Sequence, residues 1–247
     1  MNKVVSNMEE AIQDVKDGAS IAIPGFFAAG VPRALLQAII AKGVKELTLC
    51  CGCGPMLGAS EELHKLVKNG QIKKVIDSYG LFRSASKGLA DPFEQAVRAG
   101  KIELEVVPMG TLAEKYRAAG AGIPAFYTPT GVGSVVEEHM VTNIEKNTQI
   151  KKETREFNGR KYILELALQP DFAFVHANIG DEEGNLRYRM TARNFNHVMA
   201  TAAKYTIAEV ENLVKTGDLD GNLVQTPGIY VKRVVQVPRP KYRISID

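Results

Sequence analysis

Tryptophan is absent from this chain of 247 residues, histidine occurs only four times and cysteine three times. No stretch approaches the roughly 18 consecutive apolar residues of a membrane span, and residues 1–18, MNKVVSNMEEAIQDVKDG, lack the apolar core of a signal peptide. There is no dense Lys/Arg run, and the formal net charge of +3 is too small to call for nucleic acid. Cys50, Cys51 and Cys53 crowd into four positions. That is neither a disulfide framework nor a set of four ligands for structural zinc. These absences exclude a membrane-spanning, a nucleic-acid-binding and a metal-centred reading. They leave a cytoplasmic protein with a reduced cysteine cluster. Repeats, low-complexity tracts and Pro/Ser linkers are missing too, so residues 1–247 are expected to form one domain.

What is present is an alternation of apolar runs and amphipathic stretches. Ser6 and Glu9 have the spacing of a capping box that opens a helix through Val15. A buried strand is expected over 20–23, then a glycine-rich turn, then a helix from Pro32 to Ala41 in which the missing proline N–H costs little. Strands follow over 46–51, 72–77 and 102–107. Helices are expected over 60–68, from Asp91, Pro92 and Glu94 onward, and over 112–119. Such alternation implies an α/β fold: an open, mostly parallel sheet with helices on both faces. Ligands of these sheets sit beyond the carboxyl ends of the strands, where the turns 24–31, 52–58, 78–90 and 108–110 should converge. The second half is β-rich. Asn158-Gly159 signals a type I′ hairpin between 154–157 and 161–164. Further strands are expected over 171–176, 185–188, 205–211 and 229–237, with a helix over 194–203, all extending the same sheet. The polar segment from His139 to Lys152 reads as a solvated loop near the cleft.

The turn after the first strand is the most informative stretch: Pro24, Gly25, Phe26, Phe27, Ala28, Ala29, Gly30, Val31, Pro32. Backbone N–H groups between a strand and a helix N-terminus can receive phosphate or a developing oxyanion. The spacing is neither the GxGxxG of dinucleotide folds nor the GxxxxGK[ST] of a P-loop. With Asp17-Gly18 and the apolar residues before it, this turn resembles the first-subunit signature of family I coenzyme A transferases. Three more blocks agree in order and spacing over nearly the whole chain. They are Gly110-Thr111-Leu112-Ala113-Glu114-Lys115 through Gly131-Val132-Gly133, then Gly184-Asn185-Leu186 with Thr191-Ala192-Arg193-Asn194-Phe195-Asn196, and Thr226-Pro227-Gly228-Ile229.

The resemblance implies a CoA-transferase-like fold and a subunit that helps to hold a CoA thioester without supplying the nucleophile. CoA is a substrate, and no cofactor is permanently bound. In such enzymes a glutamate attacks the thioester and passes through an acyl-glutamyl anhydride to a glutamyl-CoA intermediate. In two-subunit members that glutamate lies on the second subunit, and nothing in this chain has its Glu-x-Gly setting. A separately encoded second CoA-transferase subunit is therefore implied as the partner, in an α2β2 arrangement. Carried over residue by residue, Pro24, Gly25, Phe26, Phe27, Ala28, Ala29 and Gly30 bind CoA. Tyr79, Phe82, Arg83, Met109, Gly131, Val132 and Gly133 shape the substrate pocket.

The pattern breaks in three places. Pro24 stands where the signature has its first glycine, which removes one backbone donor and fixes φ. Met109 stands where many relatives have a glutamine that donates to the thioester oxyanion. A thioether donates no hydrogen bond, so the oxyanion falls to backbone N–H groups or to the partner. The loop 78–90 is longer than usual. The same fold hosts CoA-thioester hydrolases and decarboxylases, which are the alternative function. Of the histidines, His197 draws notice for its place beside the Asn-Phe-Asn block. Arg193 and Asn194 either line the site, fix the partner interface or cap the following helix.

Overall fold

The computed structural model describes residues 1–53, 60–79, 91–138, 141–144 and 151–238. Seven strands lie parallel: β1 (Ser20–Phe26), β2 (Leu47–Cys53), β3 (Ile72–Asp77), β4 (Glu103–Val106), β9 (Phe172–Asp181), β11 (Tyr205–Val214) and β12 (Val231–Gln236). Their order is β12-β11-β9-β1-β2-β3-β4. Short antiparallel strands join at β4 (β6, Val141–Thr142) and at β9 (β10, Leu186–Arg187). The chain thus leaves β1 in one direction through β2, β3 and β4, and returns on its other side through β9, β11 and β12. β1 is the switch point, and the crevice beyond its carboxyl end is where an open sheet of this kind takes ligands.

Both faces of the sheet are covered, which is why its central strands β1 and β2 are near-continuous buried runs rather than alternating ones. Ile21, Ile23, Leu47, Leu49, Phe174 and Ile207 face a core closed by α1 (Met8–Ala11), α2 (Arg33–Lys42), α3 (Ser60–Lys68) and α4 (Pro92–Arg98). Ala22, Cys50, Val175 and Ala208 face a second core closed by α5 (Met109–Gly120) and α7 (Asn196–Ala202). The last two helices pack closely: a Cβ on Gly120 would stand 2.4 Å from Oγ1 of Thr201.

Local signals set most boundaries. Asp91 caps α4 by accepting from the N–H groups of Phe93 and Glu94, with Pro92 in the first turn. The first capping box is displaced by one residue from its expected place. Asn7, not Ser6, is the cap and accepts from the N–H of Glu10, while the Glu10 carboxylate takes the N–H and hydroxyl of Ser6. Both pairs have the required spacing, and the exposed Glu9 makes no use of it. The helix ends at Ala11 rather than reaching Val15.

The second half also departs from expectation. The strands β9, β11 and β12 do extend the main sheet. The hairpin does not: β7 (Thr154–Phe157) and β8 (Arg160–Leu166) turn through Asn158 and Gly159 at φ +51° and +73°, then pair with β5 (Ala125–Thr128) in a separate three-stranded antiparallel sheet. β8 buries only Ile163 and Glu165. Its other face stays partly exposed, unlike that of β1 at the centre of the main sheet. Glu165 accepts from Lys115 of α5 and from Lys152, which ties the small sheet to α5. The helix expected over 194–203 is found as α7, slightly shorter at both ends, and a 3₁₀ turn, Met190–Arg193, precedes it.

Candidate functional site

The turn 24–30 lies at the carboxyl end of β1. Pro24 has no N–H to give the ladder, and the register between β1 and β2 shifts between Ile23 and Phe26. The turn then closes on itself: Phe26 and Ala29 exchange both N–H···O bonds at 3.1 Å, and the N–H of Phe27 donates to the Cys53 carbonyl at 3.3 Å. The donors expected to be open are therefore partly consumed. Among the described residues, the N–H groups of Ala28 and Gly30 have no acceptor. Phe27 is held at φ +50°, a left-handed conformation that costs a non-glycine residue about 1–2 kcal/mol. The rings of Phe26 and Phe27 meet edge to face at 5.1 Å, and both are exposed.

The Asn-Phe-Asn block grips this turn from the start of α7. Asn194 Nδ2 donates to the Ala29 carbonyl at 3.0 Å, and Asn196 Nδ2 donates to the Gly30 carbonyl at 2.9 Å. Gly30 has φ +77°, and a Cβ there would lie 2.5 Å from the Ala192 carbonyl oxygen. Between the two asparagines, the Phe195 ring rests on Gly52 of β2, where a Cβ would stand 2.6 Å from Cδ2. It also meets Tyr116 of α5 edge to face at 6.4 Å. Asn194 makes no cap on α7; Phe195 is the capping residue and supplies no side-chain bond. Arg193 is exposed.

Beside the block, Gly110, Ala113, Glu114 and Arg117 of α5 and Asn194, Phe195, His197 and Val198 line an open cleft of about 460 Å³. Arg117 pairs with Glu114 at 2.6 Å, so the cleft wall carries both signs. Burial holds the His197 imidazole below its ordinary value, only partly countered by the Arg193 carbonyl. Met109 is half-exposed at the first position of α5. Pro108 before it offers no side-chain cap, so the first-turn N–H groups have no acceptor within the helix.

The expected convergence is visible where the residues are described. Ser78 Oγ donates to the Gly52 carbonyl at 2.6 Å and Tyr116 Oη to the Cys51 carbonyl at 2.9 Å, so the ends of β2 and β3 and the helix α5 share one edge. Tyr79 is half-exposed just past β3. Phe82, Arg83 and His139 fall outside the described residues. Gly131, Val132 and Gly133 do not line the cleft. They lie before α6 (Val135–Glu138), with Ser134 donating to the Gly131 carbonyl and the Gly133 N–H donating to Glu137. Cys50, Cys51 and Cys53 are buried free thiols, and burial pushes Cys50 up to about 12. Sequence reasoning missed Gly52, Phe195 and Asn196 as structural grips and Glu114 and Arg117 as cleft residues. Phe195, Asn196, Glu114 and Arg117 stand within matched blocks, which could have marked them, whereas Gly52 stands in none. No helix of the described residues is long and apolar enough to cross a membrane.

A family model described as coenzyme A transferase matches residues 5–237. The chain is 43% identical to the first subunit of a probable succinyl-CoA:3-ketoacid coenzyme A transferase of Mycobacterium bovis, over 99% of this chain and 98% of that one. It is 42% identical to the first subunit of the 3-oxoadipate CoA-transferase of Pseudomonas putida, over 96% and 94%. Among solved structures, glutaconate coenzyme A-transferase from Acidaminococcus fermentans superposes with a TM-score of 0.78 at 25% identity, over 96% of this chain and 76% of that one. A variant of the decarboxylase AibA/AibB superposes with a TM-score of 0.77 at 26% identity, over 100% and 88%.

Proposed function

This chain belongs to the coenzyme A transferase family, and we propose that it is the first subunit of a two-subunit enzyme that moves CoA from an acyl thioester to a carboxylic acid. The observation that carries this reading is the match to proteins named as first subunits of such transferases, above 40% identity and along almost their whole length. Those names also favour transfer over the hydrolase or decarboxylase alternative.

In this reading the reactive glutamate belongs to the partner subunit. Its carboxylate attacks the thioester carbonyl, the CoA thiolate leaves, and an acyl-glutamyl anhydride forms. The thiolate then attacks the glutamyl carbonyl and releases the first acid, leaving glutamyl-CoA. An acceptor carboxylate enters by the same two steps in reverse and departs as the new thioester. CoA is a substrate, and no resident cofactor is required.

This chain's part is to hold and orient. Pro24 to Gly30 is the CoA-binding turn: Gly25 admits the ligand close to the backbone, and Phe26 and Phe27 wall the pocket. Tyr79 and Met109, with Phe82 and Arg83 of the 78–90 loop, shape the acyl end, and the Gly131-Val132-Gly133 turn flanks it. Because Met109 carries no hydrogen-bond donor, the oxyanion is held by a backbone N–H or by the partner. An α2β2 assembly and a cytoplasmic location complete the proposal.

The test is co-expression with the product of the adjoining gene and an assay of CoA exchange between short-chain or dicarboxylic acyl-CoAs and free acids. Hydroxylamine trapping should detect a glutamyl-CoA intermediate on the partner. A stable complex that hydrolyses acyl-CoA without exchanging it would overturn the transferase reading.

A further inference from the structure

On the α2 side of the main sheet, one step past the apolar pair Phe174 and Ile207, the core turns polar. His176 and Asn178 of β9 share a face with Glu209 and Glu211 of β11, because residues two apart on a strand point the same way and the register pairs His176 with Glu209. His176 and Glu209 are 4% and 1% exposed. Nδ1 of His176 lies 2.8 Å from Oε1 of Glu209, and Nε2 lies 3.3 Å from Oε1 of Glu211. Asn178 Nδ2 donates to the other Glu211 oxygen at 2.8 Å. A carboxylate faces each ring nitrogen, so the protonated ring has an acceptor for both of its N–H groups. Burial alone would drive the proton off. The hydrogen bond and charge of Glu209, followed by those of Glu211, outweigh burial and hold the pKa above its ordinary value.

A buried ion pair adds little net stability over an apolar pair of the same size. What this one does is hold its neighbours, and they flank the turn 24–30. Oε2 of Glu209 accepts from the N–H of Leu35 at 2.9 Å, in the first turn of α2. The backbone N–H of His176 donates to Oδ1 of Asn196 at 2.9 Å, and the Nδ2 of that asparagine holds the Gly30 carbonyl. We propose that His176, clamped as an imidazolium between Glu209 and Glu211, is a positioning residue that fixes the CoA-binding turn between β1 and α2. This rests on the reading of 24–30 as the CoA site.

Among the described residues, the charges that face the ring come from two elements. β11 brings Glu209 and Glu211, and α2 brings the positive end of its dipole. β1, SIAIPGF, carries no titratable side chain, and the uncharged Asn196 of α7 meets the backbone N–H of His176 rather than its ring. Loss of the ring proton removes the positive charge that lies between Glu209 and Glu211 and one of the two N–H donors that hold them. Glu209 then turns from Leu35, and the segment before α2 loosens. The raised pKa sets the sign: the turn is held at and below the ordinary imidazole range and relaxes as pH climbs through the raised value.

The experiment measures kcat and KM for acyl-CoA on the two-subunit complex from about pH 6.5 to about pH 9, spanning the imidazole range and its raised flank. KM is expected to rise on the alkaline side by about fivefold, the worth of one net hydrogen bond, with kcat little changed. His176→Lys keeps a cation and should hold KM low and flat with pH, whereas His176→Gln should hold it high and flat. Rescue by lysine and not by glutamine is a result that a purely structural role does not produce. A wild-type KM that stays flat across the range overturns the proposal, and this measurement decides alone if the glutamine variant fails to assemble. A complex that exchanges no CoA at any pH sinks the CoA reading itself and this inference with it. Exchange with a pH-independent KM sinks only the positioning role.

Discussion

Asn196, the first residue of α7, donates a 2.9 Å hydrogen bond to the carbonyl of Gly30, 166 positions earlier in the chain. The same side chain donates to the Ala192 carbonyl at 2.8 Å and accepts from the N–H of His176. It is completely buried, so the side chain that joins these three backbone segments is itself closed to water.

Replacing Asn196 by Ala strands the Gly30 carbonyl and the His176 N–H, at a cost of about 1–3 kcal/mol. For a chain of this size that lowers Tm by roughly 2–4 °C for each kcal/mol lost. Thermal unfolding checks it, and a Tm within about one degree of wild type would show that water replaces the amide.

Gly52→Ala and Gly18→Ala form a matched pair. A methyl on Gly52 meets the Phe195 ring at 2.6 Å, whereas one on Gly18, at φ +79°, meets nothing within 4 Å. Gly18→Ala should cost only the left-handed backbone, about 1–2 kcal/mol. Gly52→Ala must push Phe195 out of the cleft wall, and it should raise KM for acyl-CoA by about tenfold through misplacement of the site. Equal KM values for the two variants would separate Phe195 from the ligand.

Met109→Ala should change the exchange rate by less than about tenfold, since a thioether stabilises no oxyanion, whereas loss of a true donor costs about 10²–10³. Steady-state kinetics of the complex decide the matter. A loss of the larger size would mean that the exposed Met109 side chain orders the first turn of α5.

Asp171 gives an acid-side prediction. Partial burial opposes ionisation, but Lys204 at 2.8 Å and the hydroxyl and N–H of Ser20 outweigh it and bring the carboxyl down to about 2. The folded value lies below the unfolded one, so the stabilisation is present above the ordinary carboxylate range and is lost as pH falls toward about 2. The carboxylate is 40% exposed, so solvent screening keeps its worth below about 1 kcal/mol. Asp171→Asn should lower Tm slightly at neutral pH, and the difference should shrink as pH falls toward about 2, where half of the folded carboxyl is protonated. A difference that persists in acid would assign the effect to packing.

Local chemistry explains what was legible beforehand. Asp91 followed by Pro92 is a local helix-start signal, and Asn158-Gly159 turns a hairpin because both residues accept positive φ. The strand–helix alternation marked the parallel sheet, and the glycine-rich turn marked its ligand edge. Where two local signals competed, as at Ser6 and Asn7, spacing could not choose between them. The destination of the hairpin was equally hidden, since its pattern fixes β7 against β8 and not against β5.

The sequence alone determined the elements, their order and the kinship that marks 24–30, because capping, φ preference and periodicity depend on neighbours a few residues away. Tertiary structure decided that β9 lies against β1, and so brought Asn196, Phe195 and His176 to a turn more than a hundred residues distant. Those contacts depend on the order of strands in the sheet, which is settled by burying two faces at once and leaves no periodic trace in the chain.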